Sequence, residues 1–321
     1  MSSSLIRAGI AALALLSPIA ISTASADAPA RAAETARVHY RSMEIEGVKV
    51  FYREAGRADA PVIVLLHGFP TSSNMFRNLI PSLATHYRVI APDYPGFGQS
   101  DMPDRAQFAY TFAHYADITR TLLKRLNAQR YALYIMDYGA PVGLRVALAE
   151  PKKVSALVVQ NGNAYEEGLQ EFWDPIRAHW KLNSNETREA LRAATTLDSI
   201  RWQYLDGVKD PSRVDPSTWL HDHALIARPG NVEIQLDLFY DYRTNVELYP
   251  RFQQFFRDYQ PPTLIVWGDN DKIFPAEGAK AYLRDLPKAE LHLLDTGHFA
   301  LEDQDVEITR LMLDFLRRQI R

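Results

Sequence analysis

Apolar residues follow two alternating patterns along most of the chain. Four short runs are almost entirely apolar, at residues 62–66, 131–135, 154–160 and 263–267. Runs of this kind are typical of strands that are buried on both faces of a parallel sheet. Between them, apolar residues recur every three or four positions, as in residues 111–126, which predicts amphipathic helices. The alternation predicts an α/β fold with a mostly parallel central sheet flanked by helices.

Other segments complete this prediction. Polar and apolar positions alternate on either side of Glu46-Gly47, in residues 38–44 and 48–53, which is typical of a β-hairpin. Two more strands are predicted at residues 87–91 and 290–294. Further helices are predicted at residues 74–83, 141–149 and 306–320.

The regular alternation of strands and helices stops at residue 161. From there to about residue 248 the pattern is helix-like, without a convincing buried strand, and this stretch carries four of the five tryptophans. We interpret residues 161–248 as a helical cap that is inserted between residues 41–160 and 249–321 of the sheet domain. The aromatic residues either form a substrate pocket or only pack the cap onto the core.

The N-terminal segment has a pattern of its own. Arg7 precedes an apolar stretch at residues 8–16, and Ala24-Ser25-Ala26 offers an A-x-A cleavage site. Residues 1–26 are therefore predicted to be a signal peptide, which implies a periplasmic or secreted protein, and residues 27–40 a linker. The apolar stretch is too short to span a bilayer comfortably, so no stable membrane anchor is expected.

Composition narrows the classes of partner. The chain has 321 residues, 47% of them hydrophobic, and a net charge of −3 without a long basic block. These values favour neither a disordered chain nor a nucleic-acid-binding protein, so the expected partner is a small molecule. The absence of cysteine excludes thiol catalysis and thiolate metal sites. Nothing in the composition indicates an oligomeric state.

Three residues that can form a hydrolytic triad each follow a predicted strand. They are Asp137, Asp271 and His298. The carboxyl ends of parallel strands meet at one edge of the sheet, where open α/β folds place their sites. Asp137 taken alone could equally be a helix N-cap, and Asp269 is an alternative to Asp271 as the acid.

A glycine-containing loop follows the first apolar strand and reads His67-Gly68-Phe69-Pro70. From about residue 41 to its end, the chain resembles the α/β-hydrolases with an aspartate nucleophile, namely the epoxide hydrolases and haloalkane dehalogenases. Residues 67–70 match the HG-x-P loop of epoxide hydrolases, and residues 70–81 are similar to the equivalent dehalogenase segment. The resemblance implies an α/β-hydrolase fold with the order nucleophile, acid, histidine.

The resemblance also implies a mechanism. Asp137 attacks a saturated carbon and forms an alkyl ester, which water activated by His298 then hydrolyses, with Asp271 orienting the histidine. The backbone N–H groups of Phe69 and Tyr138 form the oxyanion hole. No metal or organic cofactor is required.

The leaving group distinguishes the two chemistries. An epoxide needs an acid, usually two cap tyrosines, and Tyr240-Asp241-Tyr242-Arg243 resembles the motif that carries one of them. Tyr242 is therefore the first candidate, with Tyr204 or Tyr165 as the second. A halide needs N–H donors, for which Trp173 and Trp180 are the candidates. Asn161 stands at roughly the position where one dehalogenase group has its catalytic carboxylate, which again favours Asp271.

The primary hypothesis is a hydrolase that opens a small apolar epoxide. A haloalkane or haloacid dehalogenase that uses the same triad is the second hypothesis. An ester or lactone hydrolase and a non-catalytic binding protein of the same fold remain as further alternatives.

Overall fold

The computed structural model describes residues 37–320. The predicted signal peptide, residues 1–26, and most of the predicted linker lie outside the described residues. The first strand, β1 (His39–Ile45), begins two residues before the expected start of the core at residue 41. None of the helices within residues 37–320 combines the length and the apolar character needed to cross a membrane.

An eight-stranded sheet forms the centre of the molecule. After β1 come β2 (Val48–Ala55), β3 (Val62–Leu66), β4 (Arg88–Pro92), β5 (Tyr131–Met136), β6 (Val154–Gln160), β7 (Thr263–Gly268) and β8 (Glu290–Leu294). Their order in the sheet is β1-β2-β4-β3-β5-β6-β7-β8. Only the β1–β2 and β2–β4 pairs are antiparallel. The predicted mostly parallel α/β sheet is therefore confirmed.

The strand register brings the ends of the central strands side by side. Leu66 at the end of β3 pairs with Ile135 in β5, and Met136 at the end of β5 pairs with Gln160 at the end of β6. All six residues of β5 are buried, which requires a layer of helices on each face of the sheet. The residues that follow β3, β5 and β6 consequently share one buried edge.

The predicted hairpin is present between β1 and β2. Glu46 and Gly47 form its two-residue turn, with φ angles of 53° and 77°. Positive φ at both positions is the requirement of a type I′ turn, whose twist matches that of the strands.

The predicted helix at residues 74–83 is in fact two elements. A 3₁₀ turn covers Ser73–Phe76, and helix α1 covers Leu79–Ala84. Pro81 has no N–H for the carbonyl of Arg77, so a continuous helix would lose that bond. In α1, Pro81 lies in the first turn, where an N–H group needs no intrahelical partner.

Of the remaining helices of the sheet domain, those over residues 112–125, 139–149 and 305–319 agree closely with the predictions, and the short helix over residues 276–281 was not predicted. These are α2 (Phe112–Arg125), α3 (Gly139–Ala149), α10 (Ala276–Ala281) and α11 (Asp305–Gln319), numbered in chain order with the cap helices described next. Helix α3 begins two residues before the predicted start at Pro141, which again places a proline in a first turn.

Six helices lie between β6 and β7. They are α4 (Asp174–Leu182), α5 (Asn185–Leu191), α6 (Leu197–Leu205), α7 (Pro216–Ile226), α8 (Asn231–Asp241) and α9 (Arg243–Tyr259). Helix α9 continues without interruption across residue 248, where the cap was expected to end. Its first turn is tied to α3, because Arg145 donates hydrogen bonds to Asn245 and, at 2.9 Å, to Thr244.

Candidate active site

Asp137 occupies a sharp turn between β5 and α3. Its φ angle is 49°, in the left-handed region that non-glycine residues rarely adopt. Strain of this kind persists where the surrounding structure fixes it, and it is concentrated at functional sites. Helix α3 has no side-chain cap. The carboxylate of Asp137 instead points to the loop after β3.

Two glycines in α3 make room for this turn. A Cβ atom on Gly139 would lie 2.1 Å from the carbonyl oxygen of Leu66, so the helix packs directly against the end of β3. A Cβ atom on Gly143 would lie 2.5 Å from Cγ2 of Ile135. Ile135 occupies a position where the fold usually has glycine, and Gly143 provides the space for its side chain.

The loop after β3 holds one oxygen of the Asp137 carboxylate. The backbone N–H of Phe69 donates a 2.6 Å hydrogen bond to Oδ1, and the N–H of Tyr138 also donates to this carboxylate. A Cβ atom on Gly68 would lie 2.3 Å from Oδ1, so only glycine permits this approach. Both residues predicted to form the oxyanion hole therefore donate backbone hydrogen bonds to the Asp137 carboxylate.

The other carboxylate oxygen faces His298. Nε2 of His298 lies 3.9 Å from Oδ2 of Asp137, and Nδ1 lies 2.8 Å from Oδ2 of Asp271. Nδ1 donates to Asp271, so Nε2 is the acceptor when the ring is neutral, and Nε2 has no hydrogen-bond partner within residues 37–320. The structure thus brings Asp137, Asp271 and His298 together. Asp269, the alternative acid, is exposed.

The carboxylate of Asp271 is held on all sides. Oδ1 accepts hydrogen bonds from the backbone N–H groups of Ile273 (2.8 Å) and Phe274 (3.2 Å). Oδ2 accepts one from the side chain of Asn161 at 2.7 Å, in addition to the contact with His298. This network fixes the orientation of the carboxylate behind the histidine.

Asn161 links the two halves of the site. Its Oδ1 accepts a hydrogen bond from the N–H of Gly268 at 3.2 Å, and its backbone carbonyl accepts one from the N–H of Asp137 at 3.3 Å. A φ angle of 44° turns the chain sharply at the end of β6. From the sequence, Asn161 was identified only at the alternative position of an acid, and its role in holding Asp271 was not predicted.

Burial shifts the ionisation of both reacting groups. It raises the pKa of Asp137 to about 6, although His298 and the N–H groups of Phe69 and Tyr138 oppose this increase. Burial lowers the pKa of His298, but the charges of Asp271 and Asp137 outweigh it, and the net pKa is raised. A carboxylate with a pKa of about 6 is ionised above that pH and is a stronger nucleophile than an ordinary aspartate.

An apolar cavity of about 190 Å³ adjoins Asp137. Most of the side chains that line it are aliphatic or phenylalanine, from the cap helices and the loops at the sheet edge. Polar atoms are carried only by Asp137, Tyr138, Trp173 and Gln203 among the described residues that line it. Gln203 lies in α6 and was not predicted, because the sequence pattern of a short cap helix does not show which face meets the cavity.

Two of the three candidate tyrosines are engaged elsewhere. The hydroxyl of Tyr204 donates to Oδ2 of Asp222 at 2.5 Å, and that of Tyr165 donates to Oδ2 of Asp285 at 2.9 Å. Neither residue lines the cavity. The structure therefore does not bring Tyr204 or Tyr165 to the position of a ring-opening acid.

Tyr242 is placed behind the cavity wall. Its ring lies 4.5 Å from that of Trp173 and 6.1 Å from that of Tyr138, and both of these residues line the cavity. Its hydroxyl is buried and makes no well-aligned hydrogen bond within residues 37–320, although Tyr249 lies beside it. Burial raises the pKa of Tyr242 well above its ordinary value, so the hydroxyl stays protonated.

Both candidate halide donors already have acceptors. Nε1 of Trp173 donates to the carbonyl of Ile273 and Nε1 of Trp180 to the carbonyl of Phe239, each at 2.7 Å. Trp173 lines the cavity with its ring, whereas Trp180 does not line it. Within residues 37–320, no group of three or more histidine, aspartate or glutamate side chains is arranged to hold a metal ion.

Comparisons with known proteins identify the family of the fold. A family model described as alpha/beta hydrolase fold matches residues 61–305. An uncharacterized hydrolase of Saccharomyces cerevisiae is 47% identical over 277 residues, covering 85% of this chain and 94% of the yeast protein. A haloalkane dehalogenase of Mycobacterium marinum is 41% identical over 116 residues, or 36% of this chain and 39% of the dehalogenase.

A solved structure of the epoxide hydrolase CorEH has the same fold. It matches with a TM-score of 0.71 and 21% identity, covering 88% of this chain and 99% of the other. The family match spans most of the chain, and the similarity to the yeast hydrolase covers nearly the whole length of that protein. This chain therefore belongs to the α/β-hydrolase fold family, with haloalkane dehalogenases and an epoxide hydrolase among its relatives and structural neighbours.

Proposed function

We propose that this protein hydrolyses a small apolar epoxide through a covalent ester on Asp137. The observation that carries the proposal is that the two carboxylate oxygens of Asp137 have different neighbours. Oδ1 lies 2.6 Å from the Phe69 nitrogen in the oxyanion hole, while Oδ2 lies 3.9 Å from Nε2 of His298. One oxygen is thus stabilised and the other is left to attack a substrate in the apolar cavity.

The first step is a displacement at saturated carbon. Oδ2 attacks an epoxide carbon, the carbon–oxygen bond of the ring breaks, and the released oxygen takes a proton from Tyr242, whose hydroxyl must first turn away from Tyr249 and reach past the rings of Trp173 and Tyr138. A carboxylate suits this reaction because its product is an ordinary ester, whereas attack on an acyl carbon would give a reactive anhydride. The small cavity and its apolar lining favour a compact substrate.

The second step hydrolyses the ester. Water attacks Cγ of Asp137 while Nε2 of His298 takes its proton, and Asp271 stabilises the protonated histidine. The negative charge that develops on Oδ1 is held by the N–H groups of Phe69 and Tyr138. When the tetrahedral intermediate collapses, the diol oxygen leaves with the proton from His298 and the Asp137 carboxylate is restored.

The donors around the cavity favour an epoxide over a halide. Both tryptophan N–H groups are donated to backbone carbonyls at 2.7 Å, whereas the hydroxyl of Tyr242, behind the cavity wall, has the side chain of Tyr249 beside it and no backbone carbonyl as acceptor. An alkoxide requires a proton donor of this kind. A haloalkane dehalogenase activity is the second candidate, because a stretch of 116 residues of this chain is 41% identical to the Mycobacterium marinum dehalogenase.

The experiment is to trap the ester by removing the base. The variant His298→Gln is incubated separately with small epoxides and alkyl halides, and the intact protein is weighed. A mass gain equal to the whole epoxide, mapped to Asp137, is the expected result. A gain of only the alkyl group from a halide would support the second candidate. The matched control is His292→Gln in β8, which should show no adduct.

A further inference from the structure

Gln203 is a buried amide without a partner. It lies in α6, and its side chain has no hydrogen bond to any residue of the described chain, 37–320. It lines the apolar cavity together with Asp137, and it also lines a small recess together with Asp271 and His298. A buried amide that lacks hydrogen bonds is unfavourable. The amide atoms are not fully enclosed by protein, so a small molecule in the cavity can reach them and supply the missing hydrogen bonds.

The end of α6 is packed firmly against the loop that carries His298. The ring of Tyr204, next to Gln203, stacks on that of Phe299 at 4.0 Å and an interplanar angle of 6°. The hydroxyl of Tyr204 is fixed by Asp222 at 2.5 Å. These contacts hold the α6 backbone beside His298. Tyr204 therefore contributes to the position of α6, although it does not line the cavity.

The residues after α6 strengthen this attachment. A Cβ atom on Gly297 would lie 1.9 Å from the carbonyl oxygen of Asp206, so the two loops touch backbone to backbone. Asn270 donates a 2.9 Å hydrogen bond to the carbonyl of Gly207, and Lys272 forms a 3.0 Å ion pair with Asp206. Gln203 consequently has a fixed position relative to Asp271 and His298.

We propose that Gln203 holds the water molecule that hydrolyses the Asp137 ester. This inference rests on the proposed function. The water gives one proton to Nε2 of His298 and donates its second O–H to Oε1 of Gln203, while its oxygen bonds to Cγ of Asp137. The proton on His298 passes to the departing diol oxygen, so Gln203 gains and loses no proton.

Two features favour the water over the leaving group as the partner of Gln203. An amide has no acidic proton to give to an epoxide oxygen, but it is a good acceptor for a neutral water molecule. The recess that Gln203 lines also contains His298, whose Nε2 is buried and unpartnered within residues 37–320. The recess itself has no room for a water molecule, so the proposed water occupies the cavity beside Asp137, which Gln203 also lines.

The test separates the two chemical steps. Gln203→Met, which has similar size but no amide, is mixed with excess epoxide, quenched at intervals and weighed as intact protein. We expect formation of the ester at nearly the normal rate and hydrolysis of the ester about 100-fold more slowly, so that the ester accumulates. Gln203→Asn, which withdraws the amide by one methylene, should slow hydrolysis about tenfold.

The matched control is Gln170→Met, an exposed glutamine of the same cap, which should behave as the unmodified protein. The proposal is overturned if Gln203→Met turns over normally without accumulating ester. It is also overturned if ester formation itself slows, which would assign Gln203 to the leaving group. Failure of His298→Gln to form any ester would instead refute the proposed function, so the two failures are distinguishable.

Discussion

The sheet edge and the cap contribute to the site in different ways. At the sheet edge, every oxygen of Asp271 and one oxygen of Asp137 accept hydrogen bonds from fixed neighbours. In the cap, the donors of Trp173 and Trp180 are engaged with backbone carbonyls, and the surface presented to the cavity is mostly apolar. Under the proposed function, the sheet edge sets the reaction and the cap selects the leaving group.

The largest expected effect comes from removing the nucleophile at the sheet edge. Asp137→Asn should reduce turnover by at least about 10⁴-fold, because no ester can form. Steady-state kinetics with the best epoxide substrate will measure this loss. Asp269→Asn, at an exposed neighbouring position, is the control and should retain full turnover. Substantial activity in Asp137→Asn would show that the sheet edge does not set the reaction.

A smaller effect is expected from the cap. Tyr242→Phe should lower the rate of ester formation from epoxides by about 100-fold, because the alkoxide loses its proton donor. The rate with an alkyl halide, if one reacts, should change little. Tyr165→Phe is the control, since its hydroxyl is bound to Asp285 away from the cavity. Equal losses with both substrate classes would mean that Tyr242 only packs the cap.

The pH dependence tests the burial of Asp137. Its pKa is raised to about 6, and only the ionised carboxylate attacks, so kcat/KM should fall about tenfold per pH unit below that value. Measurements from pH 4.5 to 8 will locate the inflection. A profile that stays level down to pH 5 would contradict the effect of burial on the nucleophile.

As the pH rises and Asp137 ionises, the free energy of unfolding should fall while the activity rises. The pKa of Asp137 is higher in the folded chain, so the neutral form stabilises the fold at low pH and this contribution is lost as the pH rises through about 6. Asp137→Asn is neutral at every pH and should be more stable at pH 8 by about 1 to 3 kcal/mol. Urea unfolding at pH 8 and pH 4 will test this, and the difference should disappear at pH 4.

The sheet-edge residues could be predicted because, in a parallel sheet, residues that follow different strands come together at the same edge. Parallel strands end at one edge, so residues that directly follow β5, β7 and β8 must lie near one another. The prediction missed the role of Asn161 because its two side-chain hydrogen bonds depend on the register of β6 against β7. It also missed the break before α1, which follows from the backbone of Pro81.

The cap was less predictable for a physical reason. Successive residues of a helix point about 100° apart, so an error of one position changes which side chain faces the cavity. Tyr204 was expected in the site on chemical grounds, but its neighbour Gln203 lines the cavity. The docking of α6 depends on contacts with distant loops, and no pattern within residues 197–205 specifies it.

A single turnover in ¹⁸O-labelled water tests the central claim most directly. Protein in excess over epoxide is allowed to react once, and the diol and the peptide containing Asp137 are weighed separately. An ester intermediate predicts an unlabelled diol, whose new oxygen comes from Asp137, and one ¹⁸O atom in the Asp137 carboxylate. A labelled diol with an unlabelled Asp137 would show that water attacks the epoxide directly and would contradict the account.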